Sequence, residues 1–359
     1  MMRTKLHAAR AALVMVALAL AVLAATLFAV PAVAAEEKVL HVYNWSEYVP
    51  QSVLDRFTKE TGIKVVYTTY ESNEAMYAKI KLLKGVGYDV VVPSTYFISM
   101  LRDDGLLARI DKSKLKNFKN LSPKVLNQPF DPGNEYSVPY MWGSAGLMVN
   151  RKVVDPASIT SWNDLNRPEF AGKVILSDDQ RDSMGVALKA LGYSVNSTNE
   201  AEIKAAYEWL KKLLPAVRVF DVTASKQAFI SEEVAAGLIW NGDAYIAASE
   251  NENLAYVYPR EGVPLWVDSL AIPLGAKHKD NALKFIDFLL RPDVAKECVE
   301  EYNYSTPNVG AQKILSPELA KSRITSPSDA DLKNAEFTNS VGNALEIYEK
   351  YWEMLKTGS

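Results

Sequence analysis

Cysteine and histidine are nearly missing from this chain: of 359 residues, one is cysteine (Cys298) and three are histidine. A lone thiol forms no internal disulfide, so stability has to come from a large core rather than from cross-links. Glycine-rich phosphate loops and Cys/His pairs at metal-ligand spacing are also missing, which leaves no cofactor, no metal and no enzymatic activity to expect. His41 lies inside a strand-like run and His278 between two lysines, so both read as core or solvated positions. Cys298, on a helical stretch, reads as a small buried hydrophobe. Charge of one sign does not dominate: 40 basic residues face 43 acidic ones, a net charge of −3. That balance disfavours nucleic acid or an anionic membrane as a partner and is compatible with a cationic ligand, although ordinary solubility explains it equally well.

Charge is absent altogether from Ala11 to Val30, and this apolar run follows Arg3, Lys5 and Arg10. The order is that of a signal peptide, with a cut expected after Ala34 in the small-residue site Ala32-Val33-Ala34. An uncleaved anchor is the competing reading, because about twenty uncharged residues match the thickness of a bilayer. The run holds no cysteine for lipid attachment, so a free periplasmic protein is expected. Removing Arg3, Lys5 and Arg10 makes the exported remainder more acidic than the precursor. What remains exceeds the length that one hydrophobic core usually serves, and two lobes are expected.

The patterning supports an α/β architecture. Lys38 to Trp45 reads as a strand, Pro50 to Thr61 as a helix and Ile63 to Tyr70 as a β-branched strand. Ser72 to Leu83 (helix), Tyr88 to Val92 (strand) and Phe97 to Asp104 (helix) repeat the alternation, which implies a mostly parallel sheet covered by helices. A second alternating region begins near Leu147. It places strands at Lys173 to Leu176 and Ala236 to Trp240, with helices at Met184 to Leu191 and Ala201 to Leu214. Tyr136 to Tyr140 and Leu265 to Pro273 read as extended inter-lobe crossings, suited to a hinge. The tail is read as helical over Asn281 to Leu290, Asp293 to Tyr302 and Ser340 to Leu355. The expected division is a leader over 1–34, a first lobe from 36–142 and 269–313, and a second lobe from 143–268 and 314–359.

Aromatic side chains recur within three residues of a carboxylate at predicted strand ends and crossings: Trp45-Ser46-Glu47-Tyr48, Trp240-Asn241-Gly242-Asp243 and Trp266-Val267-Asp268. An acidic group, Asp178 to Asp182, lies after another strand, and Ser94-Thr95-Tyr96 after a third. In open α/β sheets, ligands bind beyond the carboxyl ends of strands. Aromatic faces attract cations and cover methylenes, and spaced carboxylates fix charge, so a linear diamine or triamine suits this set. Any one tryptophan is equally a core residue, and the acids Glu47, Asp178, Asp179 and Asp182 are equally helix caps or first-turn charges. Asp178 is read as a cap or first-turn charge. An anionic or amino-acid ligand would need an arginine among the aromatics, where only Arg181 lies nearby.

Segments across nearly the whole exported chain carry a specific likeness: YNWSEYVP (43–50), YDVVVPSTYF (88–97), DPGNEYSVPYMWG (131–143), LIWNG (238–242), DSLAIP (268–273), FIDFLLRPDVAK (285–296) and YSTPN (304–308). In these the sequence resembles the spermidine/putrescine-binding periplasmic proteins of polyamine ABC importers. The resemblance implies a two-lobed (type II) solute-binding fold that closes on its ligand and then docks on the importer's transmembrane subunits, and a monomer is expected. It implies an aromatic box of Trp45, Tyr48, Tyr96, Trp240, Trp266 and Tyr304, and an acidic set of Glu47, Asp179, Asp182 and Asp268. Asp268 would hold an ammonium, Asp179 and Asp182 would anchor one end, and Ser46, Glu47 and Ser94 would support the first-lobe side. Three positions depart from the spermidine-preferring type: Asp182 replaces Glu, Thr338 replaces Gln and Asp243 replaces Ser. Putrescine-preferring relatives carry an acid at the Asp243 position but Phe at the Trp266 position. Binding of both amines is expected, spermidine slightly favoured. Asp243 would then hold an ammonium, pair with a lysine or face solvent. The rival readings are a polyamine sensor for a membrane signalling partner and a receptor for another small cation.

Overall fold

The computed structural model describes residues 36–358 apart from Val222. The expected leader and its cleavage site lie outside the described residues. Ten strands are named here in chain order: β1 (Val39–Trp45), β2 (Lys64–Tyr70), β3 (Val90–Val91), β4 (Ser137–Asn150), β5 (Val174–Leu176), β6 (Val217–Phe220), β7 (Ala236–Trp240), β8 (Leu254–Val257), β9 (Pro264–Ala271) and β10 (Glu336–Phe337). Their order across the sheet is β2-β1-β3-β9-β4-β7-β5-β6, with β8 on β4 and β10 on β9.

The flanks are parallel, as the alternating pattern predicts. β1 pairs β2 in the register Val39↔Lys64 and β3 in the register Val42↔Val90, while β5 pairs β6 and β7. The middle is not parallel: β9 runs antiparallel to β3 and β4, and β4 antiparallel to β7 and β8. The sheet is therefore mixed, because a chain that leaves one lobe and later returns must cross the boundary in opposite directions.

Strand β4 is much longer than the crossing the sequence suggested, 14 residues in all. Its first half pairs β9 and its second half pairs β7 and β8, so one strand serves both lobes. Pro139, which donates no ladder hydrogen bond, sits where the β4/β9 register shifts, a position that tolerates proline.

Both faces of each half are covered, so adjacent strand residues enter different cores. Leu147 and Val149 join a cluster with Trp162, Phe170, Leu210 and Tyr348, while Met148 between them packs with Phe229 and Ile239 on the other side. In the first half Leu40 and Val42 pack with Phe57 and Phe285, and Tyr43 with Met76 and Phe130. Cys298 is fully buried in the first of these cores, and burial pushes its thiol up to about 12. His278 Nδ1 lies 2.9 Å from Asp89 Oδ2 and the His278 ring stacks 6.2 Å from His41, a structural pair.

Local chemistry sets the helix ends. Gln51–Thr61 buries Val53, Leu54 and Phe57 and stops at Gly62, whose φ of +72° is left-handed. Ser72 caps Asn73–Leu82 by accepting from Ala75 N at 3.1 Å. The helix expected from Met184 begins earlier and spans Gln180–Ala190, and the tail helix spans Leu345–Thr357. Among the described residues no helix is long and apolar enough to cross a membrane.

Candidate functional site

The carboxyl ends of the parallel strands in both lobes open onto one cavity of about 690 Å³. Every predicted site residue lines it. β1 ends in Trp45 and the turn after it delivers Ser46, Glu47 and Tyr48; after β3, Ser94 and Tyr96 stand at the start of the helix Thr95–Asp103; after β5, Asp179 and Asp182 stand at the start of the helix Gln180–Ala190. Trp240 ends β7 and Asp243 enters the helix Asn241–Glu250 that follows. Trp266 and Asp268 come from β9 itself, Tyr304 from the turn after Pro292–Tyr302, and Thr338 from the residue after β10.

Asp268 is 5% exposed, and both of its oxygens accept hydrogen bonds, one from the Tyr48 phenol and one from the Ser94 hydroxyl. Burial pushes its carboxyl up to about 6, and the two hydroxyl donors limit the rise. Around it the aromatic rings pack together: Tyr48 lies 5.6 Å from Tyr304 in a tilted pair, and Tyr304 meets Trp266 edge to face at 5.4 Å. Two glycines make that packing possible. A Cβ on Gly143 would lie 2.3 Å from the Trp266 ring, and one on Gly242 would lie 2.5 Å from the Tyr304 ring. Trp45 is fixed by donation from Nε1 to Val92 O at 3.1 Å and by contact with Tyr70 at 4.7 Å.

The acidic group after β5 corrects one expectation. Asp179, not Asp178, caps the helix, accepting from Arg181 N at 2.8 Å and from Asp182 N at 3.1 Å. Asp178 is exposed. Asp182, in the first turn, accepts from Trp240 Nε1 at 2.8 Å, which joins the acid to an aromatic partner from another strand. Burial raises both carboxyls, and the Asp182 carboxyl is raised further by Asp179. Glu74, from the first lobe, joins them: its carboxyl is raised by desolvation and then by Asp179.

Arg181 lines the cavity but does not offer itself to an anion. It is 3% exposed, with its guanidinium 5.1 Å from the Tyr96 ring and 5.0 Å from the Tyr348 ring. Its terminal nitrogens donate to Asn339 O, Val195 O and Asn196 Oδ1 at 3.2–3.3 Å.

Of the alternatives for Asp243, the structure takes the lysine. Lys226 Nζ lies 3.4 Å from Asp243 and 4.0 Å from Glu47. Burial raises the Asp243 carboxyl and Lys226 opposes the rise. Sequence reasoning missed Lys226, because it sits in the short helix Ser225–Ile230 with no aromatic–acid pair beside it. Glu71, Glu74 and Tyr302 also line the cavity and were missed, although Tyr70-Glu71 at the end of β2 and Glu301-Tyr302 carry the same aromatic–acid pairing. Ser46 donates to Glu71 at 3.3 Å. Eight lining residues are acids against two bases, so in this enclosed space a ligand carrying several positive charges is favoured.

The family model for bacterial extracellular solute-binding proteins matches residues 52–325. The chain is 51% identical to the spermidine/putrescine-binding periplasmic protein of Escherichia coli (strain K12), over 90% of this chain and 93% of that protein. It is 32% identical to the putrescine-binding periplasmic protein PotF of the same strain, over 90% and 93%. Among solved structures, a putative spermidine/putrescine ABC transporter protein from Listeria monocytogenes superposes with a TM-score of 0.84 at 37% identity, covering 90% of this chain and 100% of the other.

Proposed function

Because the chain belongs to the bacterial extracellular solute-binding proteins, we propose that it captures spermidine and/or putrescine in the periplasm and delivers it to the membrane subunits of an ABC importer. The observation that carries this reading is the placement of Asp268. A buried carboxylate, held by two hydroxyls and surrounded by Tyr48, Tyr304 and Trp266, is built to receive an alkylammonium and to cover its methylenes. The remaining predicted site residues act around it. Asp179 and Asp182 hold one end of the ligand, Trp45, Tyr96 and Trp240 sheathe the carbon chain, and Ser46, Glu47, Ser94, Asp243 and Thr338 complete the walls.

The lobes on this reading are 36–142 with 269–313, and 143–268 with 314–359, joined by β4 and β9. The exported protein begins after Ala34 and acts as a monomer that binds and does not catalyse. Ligand meets the open protein on one lobe; closure buries the methylenes, completes the carboxylate contacts and creates the surface that the importer recognises.

Isothermal titration of the refolded, ligand-free exported protein with putrescine and with spermidine tests the proposal. One-site binding at micromolar dissociation constants or tighter is expected, about 8 kcal/mol or more. Absence of heat with both amines would overturn it.

A further inference from the structure

The cavity already contains an ammonium group of its own. Lys226 reaches in from the second lobe, 29% exposed, and stands 3.4 Å from Asp243 on its own wall and 4.0 Å from Glu47 on the opposite wall. These two carboxylates come from the carboxyl ends of β7 and β1, the same kind of position that presents the rest of the site. Glu47 has a left-handed backbone conformation, φ +50°, uncommon for a residue other than glycine, and its side chain is 77% exposed. Lys226 thus neutralises the two acids at this end as an incoming alkylammonium would.

We propose that the Lys226 side chain occupies one ammonium position of the cavity, so that the protein takes a diamine in preference to a triamine. This rests on the polyamine reading above and deepens it. Glu71, which accepts from Ser46, and Asp178 are exposed at the rim, so the buried or half-buried acids left for the ligand are Asp268 and the Asp179–Asp182 pair, which Glu74 adjoins. The neighbouring Arg181 has its terminal nitrogens committed to Asn339, Val195 and Asn196. Two acidic positions remain, and a diamine satisfies both. A third ammonium directed toward Glu47 and Asp243 would meet Lys226 at like-charge contact. The geometry therefore favours putrescine over the spermidine preference expected from the sequence.

The test is titration of the ligand-free wild type, Lys226→Ala and Lys226→Gln with putrescine and spermidine, with thermal melts to confirm that each variant is folded. The wild type should bind putrescine at least tenfold more tightly than spermidine. Lys226→Ala should raise the spermidine-to-putrescine affinity ratio at least tenfold, and Lys226→Gln, which keeps the bulk but not the charge, should raise it by a smaller factor. A ratio that moves less than twofold in both variants, with both amines still binding the wild type, overturns the assignment of Lys226. A wild type that binds neither amine overturns the polyamine reading and this inference together.

Discussion

Tyr48 donates its phenolic proton to Asp268, 220 residues further along the chain, and Ser94 donates to the other carboxylate oxygen. The acid at the centre of the site is thus oriented entirely by residues that follow β1 and β3, although it stands on a strand shared with the other lobe. Asp268→Asn keeps the shape and removes the charge. Losing one member of a buried charge pair typically costs a few kcal/mol, so polyamine affinity should fall at least a hundredfold, about 3 kcal/mol. Titration at pH 7.5 checks this, and a loss under fivefold would show that the ammonium is held elsewhere.

The empty site should make folding sensitive to pH. Burial raises the Asp268 carboxyl from 3.8 to about 6, so between these values the folded protein binds more protons than the unfolded chain. The stabilisation this gives is fully present below pH 4 and is lost as pH rises through 6. From that shift, wild type should lose about 3 kcal/mol relative to Asp268→Asn between pH 4 and pH 7. Denaturant unfolding of both proteins across that range measures the gap, and a gap independent of pH would contradict the assigned shift. A polycationic ligand needs the carboxylate ionised, so affinity should weaken as pH drops below about 6, with proton release on binding.

Trp240 has two roles that one substitution separates. Its indole N–H bonds Asp182 at 2.8 Å while its ring faces the cavity. Trp240→Phe keeps an aromatic face and deletes the donor. The bond forms without ligand, so its loss, about 1 kcal/mol for a typical hydrogen bond, should lower the melting temperature by a few degrees, and affinity should fall as well because Asp182 loses its orientation. An unchanged affinity would mean that Asp182 does not contact the ligand.

Gly143 should resist even alanine. Its Cβ would lie 2.1 Å from Asn241 Oδ1 and 2.3 Å from the Trp266 ring. Overpacking of this kind costs about 1–3 kcal/mol. Gly143→Ala is expected to lower the melting temperature by several degrees and to weaken ligand binding by displacing Trp266. Calorimetry on the ligand-free protein, followed by titration, reads both effects.

Much of the site is legible in the sequence because its residues follow strands, and strands buried on both faces announce themselves as short runs of Val, Ile and Leu. Trp45 and Trp240 fall at such ends and Asp268 lies inside the predicted crossing, each beside an acid or an aromatic, so the aromatic and acidic clusters can be found without coordinates. The weaker strands are not legible: β6 is only partly buried, and its Val217-Arg218-Val219-Phe220 pattern competes with loop readings. The full span of β4 is hidden by Pro139, which punctuates the sequence although a register shift absorbs it in the sheet. Choosing Asp179 over Asp178 as the cap depends on one peptide's geometry, which adjacent identical residues cannot reveal. Lys226 is invisible for another reason: its partners lie 17 and 179 positions away, and nothing local distinguishes it from a solvated lysine.

Asp268 pairs in register with Met141 on β4 and bridges to Ser94, so in the closure proposed above it would stay with the strands that join the lobes while the walls carrying Asp182, Trp240 and Asp243 move relative to it. A ligand shifts an equilibrium only by what it gains in one state over the other. On the proposed function, a small monoamine that satisfies Asp268 alone would gain almost nothing from wall movement. It would sit in the gaping protein as a silent competitor, held but never imported.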